Sequence, residues 1–221
     1  MKTKLILSGF FIINLSQILK AQDTIKITSS RSPIVAETLI GNNRLYYQML
    51  MKRKFTTSSK AGFLSISSFA ANHNNDIAGN EFMANMIIYH DISRRLAINT
   101  GAMFSSIEGL KPNIGFQYSY ANKRLFFLCV PNYSYLHDHK LSSLAIIEYN
   151  LRLNGQWSVY SRLQGYYAYN TEKGSHYRSF AYGRVGLTHS VYTLGLGGNA
   201  DWYGPRKLFK DNIGVFVRLS I

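Results

Sequence analysis

The stretch Asn212–Ile221, NIGVFVRLSI, decides how the rest of this 221-residue chain is read. Ile213, Val215, Val217, Leu219 and Ile221 fall on one face, and Gly214, Phe216, Arg218 and Ser220 fall on the other. Strict alternation with a period of two marks a strand with two different faces. An apolar face backed by a mixed one suits a strand standing between lipid and a partly polar interior, as in the closing seam of a membrane β-barrel.

Working back from the seam, similar alternating segments recur at hairpin spacing. They predict strands over 43–55, 61–72, 81–90, 96–106, 112–120, 125–136, 141–151, 157–169, 176–188, 191–203 and 212–221. Tight connections (91–95, 121–124, 154–156, 189–190) alternate with longer ones (73–80, 170–175, 204–211), as periplasmic turns alternate with external loops in outer-membrane barrels. Eleven strands would leave the first one starting on the wrong side of the membrane. The segment 24–37 is therefore assigned as a twelfth strand, although Pro33 disfavours a central strand there. An antiparallel up-and-down barrel of twelve strands is the expected fold, with ten as the alternative. A soluble β-sandwich also satisfies alternation, but the many long strands and the abundant Tyr and Phe argue against it.

At the other end of the chain, residues 1–21 read as a secretory signal peptide. Lys2 and Lys4 precede an apolar run from Leu5 to Leu19, and Ala21 offers a cleavage point. That run is short of the roughly 20 residues a helix needs to span a bilayer. Nothing after residue 21 is apolar for long enough to form such a helix either. A membrane protein lacking spanning helices must close its backbone hydrogen bonds in a barrel, so residues 22–221 are assigned to one barrel domain.

Alternation then sorts the side chains. Leu45, Tyr47, Met49, Met51, Leu96, Ile98, Ile114, Phe116, Ile147, Tyr149, Val159, Leu163, Val185, Leu187, Leu194 and Leu196 are expected to face lipid. The opposite set includes Gln48, Asn85, Asn99, Gln117 and Asn199. It also includes the candidate lumen residues Glu148, Arg162, Gln164, Arg184, Asp201 and Arg218. Isolated charges in a narrow bore are costly, so Glu148 is expected to bridge Arg162 or Arg184 on the following strands. Two bands of aromatics are expected to form interfacial girdles. One holds Tyr89, Tyr118, Tyr120, Trp157 and Tyr192, and the other Tyr133, Tyr135, Tyr167, Tyr169, Tyr177 and Trp202.

The formal charge is +14, and losing Lys2, Lys4 and Lys20 lowers it to +11. Basic residues cluster in predicted turns (Lys52, Arg53, Lys54, Lys60, Arg94, Arg95, Lys123, Arg124) and loops (Lys111, Lys140, Lys173, Arg206, Lys207, Lys210). Outer-membrane lipids and lipopolysaccharide phosphates are the expected partners of such rims. Nucleic acid is not expected, because a secreted chain seldom meets it and no binding motif is present.

Sequence chemistry is sparse. The single Cys129 excludes an intramolecular disulfide framework. His73, His137, His139 and His176 fall in predicted loops with Asp76, Glu81, Asp138 and Glu172 nearby, and His-x-His is a usable metal spacing. Solvated loop histidines are the commoner case, and no metal or cofactor is assigned. His90 with Ser93 and His189 with Ser190 fall at periplasmic turns, away from outer-leaflet chemistry. Ser134 with His137 or His139 is better placed but matches no recognised spacing. Nucleophile-elbow, zinc-protease and nucleotide-loop patterns are missing, so no catalytic residue is assigned. The glycines of Leu194–Gly198, LGLGG, fit close packing or curvature better than phosphate binding.

The order Asn212, Gly214, Val217, Leu219 resembles the C-terminal assembly signal of outer-membrane proteins, although Ile221 stands where an aromatic is usual. Together with the KAQ ending of the leader, the hairpin series and the tail GLGGNADWYGPRKLFKDNIGVFVRLSI, the chain resembles a small outer-membrane β-barrel protein of the Bacteroidota type. That resemblance implies a Gram-negative outer membrane, and the barrel assembly machinery as a partner; it carries no catalytic residue across. Two function classes follow. One is a non-enzymatic, porin-like narrow pore or a structural surface barrel, with a small anionic solute as candidate cargo. The other is a lipid-modifying hydrolase or acyltransferase.

Overall fold

The computed structural model describes residues 33–74, 79–136 and 139–221. The expected signal peptide, 1–21, lies outside them, as do Asp76, His137 and Asp138. Twelve antiparallel strands follow one another in the chain. They are β1 (Val35–Gly41), β2 (Arg44–Lys54), β3 (Ala61–Asn72), β4 (Glu81–Asp91), β5 (Leu96–Ser105) and β6 (Gly109–Ala121), then β7 (Leu125–Ser134), β8 (Lys140–Arg152), β9 (Trp157–Asn170), β10 (Ser175–His189), β11 (Tyr192–Tyr203) and β12 (Leu208–Ser220). Each pairs with its sequence neighbours, and β12 pairs with β1 to close the barrel. Closure removes both sheet edges, which backbone groups in a lipid environment require.

The seam is built from the stretch that opened the sequence. Val35 to Gly41 pair with Ser220 to Gly214, and Ile34 and Ile221 exchange backbone hydrogen bonds of 2.7 and 2.9 Å just beyond. Gly41 and Gly214 face each other across it. A Cβ on Gly214 would lie 2.0 Å from the Ile40 carbonyl oxygen, and one on Gly41 would lie 2.1 Å from Asn212 Oδ1. The space at Gly41 lets buried Asn212 reach the β1–β2 turn, where its Oδ1 accepts from the backbone N–H groups of Asn43 (3.2 Å) and Arg44 (3.0 Å). One side chain of the last strand thus pins the first hairpin.

Three expectations are corrected here. Among the described residues the first strand is Val35–Gly41, so it continues past the expected end at 37, while 24–32 lie outside the described residues. The last strand starts at Leu208, opposite Tyr203, so the expected long loop 204–211 is the four-residue turn 204–207. Gly204 and Lys207 take positive φ there, 66° and 51°. The connection 171–174 is equally short, and 73–80 is the longest of the barrel.

Residues named above as lipid-facing lie on the outside, with Leu163, Val185 and Leu196 at 68%, 61% and 70% exposure. The interior is more apolar than alternation suggested. Leu39, Leu64, Ile66, Leu128, Ile146, Tyr160 and Phe216 pack with Phe180 and Tyr182, whose rings stack at 4.2 Å. Leu39, Leu128, Tyr160 and Phe216 have no exposed area. At their level the bore is filled as a protein core is filled.

Candidate functional site: the bore and its mouth

The candidate lumen residues occur at different heights of the bore. Arg162 on β9 and Arg184 on β10 are direct register partners, two like charges face to face. Glu37 on β1 separates them. Its Oε1 accepts from Arg162 Nη2 and from Arg184 Nε, both at 2.7 Å, with all three side chains nearly or fully buried. Arg184 Nη1 also donates to the carbonyls of Gly183 (2.8 Å) and Gly198 (3.0 Å). Its guanidinium lies 5.8 Å from the Phe216 ring centroid. Gly197 makes room for it, since a Cβ there would lie 2.6 Å from Arg184 Cδ.

Glu148 stands opposite Arg162 in the register, yet it does not bridge Arg162 or Arg184. It accepts from Arg218 Nη2 (3.2 Å) and from the Tyr160 hydroxyl (2.9 Å). The Arg218 guanidinium also lies over the Tyr160 ring at 4.5 Å. Arg218 therefore occupies the carboxylate that was expected to serve the arginine pair, and Glu37 takes that role from across the seam. Glu37 was legible as the end of a strand but not as an interior acid, because a neighbouring proline obscured that strand's register. Gln164 lies on the same inner face and is buried, with neither amide atom bonded to protein. Asn199 has the same character.

Toward the end opposite Ile221, the bore carries a second ionic cluster. Asp201, fully buried, accepts from Arg44, from Arg178 Nη2 (3.1 Å) and from the Tyr182 hydroxyl (2.9 Å). Glu81 takes Arg44 (3.4 Å), Arg178 (3.2 Å), Lys210 (3.3 Å) and the Tyr203 hydroxyl (2.6 Å). The three bases exceed the two acids by one charge. Beside the cluster, Lys140 pairs with Glu108 and sits 3.5 Å from the Tyr177 ring centroid. A cavity of about 230 Å³ opens here, lined by Met83, Met103, Tyr166, Tyr177, Arg178 and Tyr203 among others. Two smaller cavities, one beside Arg44 and Glu81 and one beside Asn85 and Asn132, measure about 10 and 20 Å³, room for about one water each.

Two aromatics expected in the girdles belong inside. Tyr89 is buried in the interior cluster, because β4 turns its odd-numbered residues inward. Tyr177 lines the mouth, where the register of β10 shifts between His176 and Arg178. Tyr118, Trp157, Tyr192, Tyr135 and Tyr167 remain exposed on the outside.

The histidines are dispersed among different partners. His73 Nε2 contacts the Gly41 carbonyl at 2.8 Å, His139 contacts Tyr133 and Glu172, and His189 lies against Trp157 with ring centroids 4.7 Å apart. Ser93 Oγ accepts from backbone N–H groups of its own turn. His176 is the exception, with Nδ1 2.7 Å from the Gly204 carbonyl and Nε2 3.0 Å from Ser179 Oγ.

No protein-family model matches the chain, and no curated protein does. Solved structures do. The NanC porin aligns at a TM-score of 0.51 and 10% identity, covering 86% of this chain and 100% of that one. The KdgM porin in complex with disordered oligogalacturonate aligns at 0.48 and 10%, covering 86% and 99%. At that identity the likeness is one of fold. The NanC likeness agrees with what the described chain shows by itself, a closed twelve-strand barrel with an apolar exterior.

Proposed function

We propose that the protein is a non-enzymatic transport barrel of the outer membrane, for small anionic solutes, whose bore is shut at mid-height in this state. The mid-bore layer carries the reading. A permanent plug is best made of apolar side chains, since buried ionic groups gain little over well-packed hydrophobic ones. This layer instead holds two facing arginines on one carboxylate, with Gln164 and Asn199 unbonded beside them. Unbonded buried amides cost about 1–3 kcal/mol each and are relieved when water or solute enters. The bases left in excess favour anions.

The same reading places residues 1–21 as a signal peptide of a Gram-negative, Bacteroidota-type protein, and the turns on the side of Ile221 in the periplasm. The terminal strand is then the segment offered to the barrel assembly machinery. Exposed Lys60, Arg94, Arg95, Lys123 and Arg124 at that rim, and Lys173, Arg206 and Lys207 at the other, suit anionic lipid headgroups and lipopolysaccharide. Planar-bilayer recordings test the transport reading. Brief, small, anion-preferring openings are expected, with the preference weakened in the Arg162→Gln, Arg184→Gln double variant. Cation preference in the wild type would refute it. Silence of the wild type and of a Glu37→Gln variant would make the barrel a static structural one.

One observation favours the lipid-modifying alternative. With Nδ1–H donated to the Gly204 carbonyl, His176 Nε2 is free to accept from Ser179 Oγ, the arrangement of a nucleophile and its base. Tyr167, an exposed aromatic, lies 5.5 Å from the imidazole. The third member is a backbone carbonyl in place of a carboxylate or amide side chain. Labelling of Ser179 by a fluorophosphonate, lost in His176→Ala, would establish this reading; an unlabelled wild type removes it.

A further inference from the structure

The cavity at the mouth has a composition of its own, distinct from the layer that shuts the bore. We propose that it is a binding site for a single-ring carboxylic acid, held at the mouth before any passage; this rests on the transport reading and specifies its solute. Three tyrosines, Tyr166, Tyr177 and Tyr203, and two methionines, Met83 and Met103, supply its walls. Thioethers and phenol rings contact an aromatic ring favourably, by sulfur–ring and ring–ring contact. At about 230 Å³ the cavity falls below the usual range for drug-sized ligands, which limits the occupant to about one ring and a short substituent.

Two charged residues line the cavity, Arg178 and Glu108, and Glu108 is taken up by Lys140. Arg178 meets its acceptors, Asp201, Glu81 and the Tyr203 hydroxyl, through Nη2. Its buried Nε has no protein partner. The surrounding cluster of Arg44, Arg178 and Lys210 against Glu81 and Asp201 retains one positive charge. One monoanion therefore neutralises that cluster. Lys140, next to the cavity, is matched by Glu108. A dianion or a long oligomer has neither the charge nor the room. A sugar acid would set its hydroxyls against walls of methionine and phenol ring, leaving polar groups poorly matched.

The test is titration calorimetry of the folded barrel in detergent with benzoate, benzyl alcohol and glucuronate as probes. Benzoate is expected to bind at one site per chain, with benzyl alcohol and glucuronate each weaker by about tenfold or more. Met103→Trp, which fills the cavity, should abolish binding, and Arg178→Lys should weaken it while keeping the charge. Heat-modifiable migration of each variant shows that the barrel is intact. Equal binding of glucuronate and benzoate, or benzoate binding unaffected by Met103→Trp, overturns the proposal. So does an absence of benzoate binding by the folded wild type, whatever the bilayer recordings show. Anion-selective openings without benzoate binding would leave the transport reading standing and remove this site alone.

Discussion

Glu37 and Arg184 meet across the closing seam region at 2.7 Å with both side chains fully buried, and the same carboxylate oxygen also holds Arg162. Neither arginine has another acid within ion-pair distance among the described residues. Removing one partner of a buried pair costs about 3–5 kcal/mol, because the other charge is left unneutralised. Glu37→Gln keeps one acceptor oxygen, so a loss of about 3 kcal/mol is expected from urea unfolding in lipid vesicles. The exposed pair of Glu172 with His139 is the control, and Glu172→Gln should change stability by less than about 1 kcal/mol. Equal effects of the two substitutions would mean that the mid-bore layer is solvated.

A second expectation concerns the seam. Gly214→Val places a branched side chain where even a Cβ would meet the Ile40 carbonyl, so β1 and β12 must separate. Asn212→Ala keeps the strand but abandons two backbone N–H groups of the first hairpin. Heat-modifiable migration should be lost for Gly214→Val and retained with a lower melting temperature for Asn212→Ala. Full folding of Gly214→Val at the wild-type rate would show that the seam is looser than its geometry.

Much of this was written in the alternation. Ile213, Val215 and Val217 face outward and Phe216 and Arg218 inward, because period two leaves a strand no third option. Gln164, Asp201 and Arg218 fell on the inner face by the same rule. Alternation reports which face a residue is on, not how far a long side chain reaches. Arg162 therefore missed its register neighbour Glu148 and found Glu37, whose chain position is 125 residues away. The mouth was not legible for a related reason. Glu81 opened a predicted strand beside a long loop, and Arg44 and Arg178 sit at strand ends where polar side chains suggest solvent. Only closure brings β2, β4, β10 and β11 around one small volume.

The exterior gives a third expectation. Leu196 and Leu163 are the most exposed of the lipid-facing residues named above, on β11 and β9. An arginine near the midplane of the lipid face costs about 2–4 kcal/mol, falling toward the interfaces. Leu196→Arg and Leu163→Arg should each lower stability in vesicles by that amount. In a charged-detergent micelle, where the apolar shell is thin, the loss should shrink. A loss as large in detergent as in lipid would locate these side chains in protein contacts.

Two adjacent glycines on β11 supply the last expectation, and they separate packing from strand propensity. Gly197 points inward, and a Cβ there would lie 2.6 Å from Arg184 Cδ and 3.0 Å from its Nε. Gly198 points outward, with Ile213 Cγ1 at 3.7 Å as the nearest atom to an added Cβ. Alanine at an unobstructed strand position gains about 0.5–1 kcal/mol by restricting the unfolded chain. Gly198→Ala should therefore be neutral or stabilising. Gly197→Ala displaces the Arg184 side chain and with it the bond to Glu37, so it should destabilise although the chemical change is identical. It should also raise the open fraction in bilayer recordings, as should Glu37→Gln. If both alanines behave alike, Arg184 has room to move aside, and the mid-bore layer is not held by this contact.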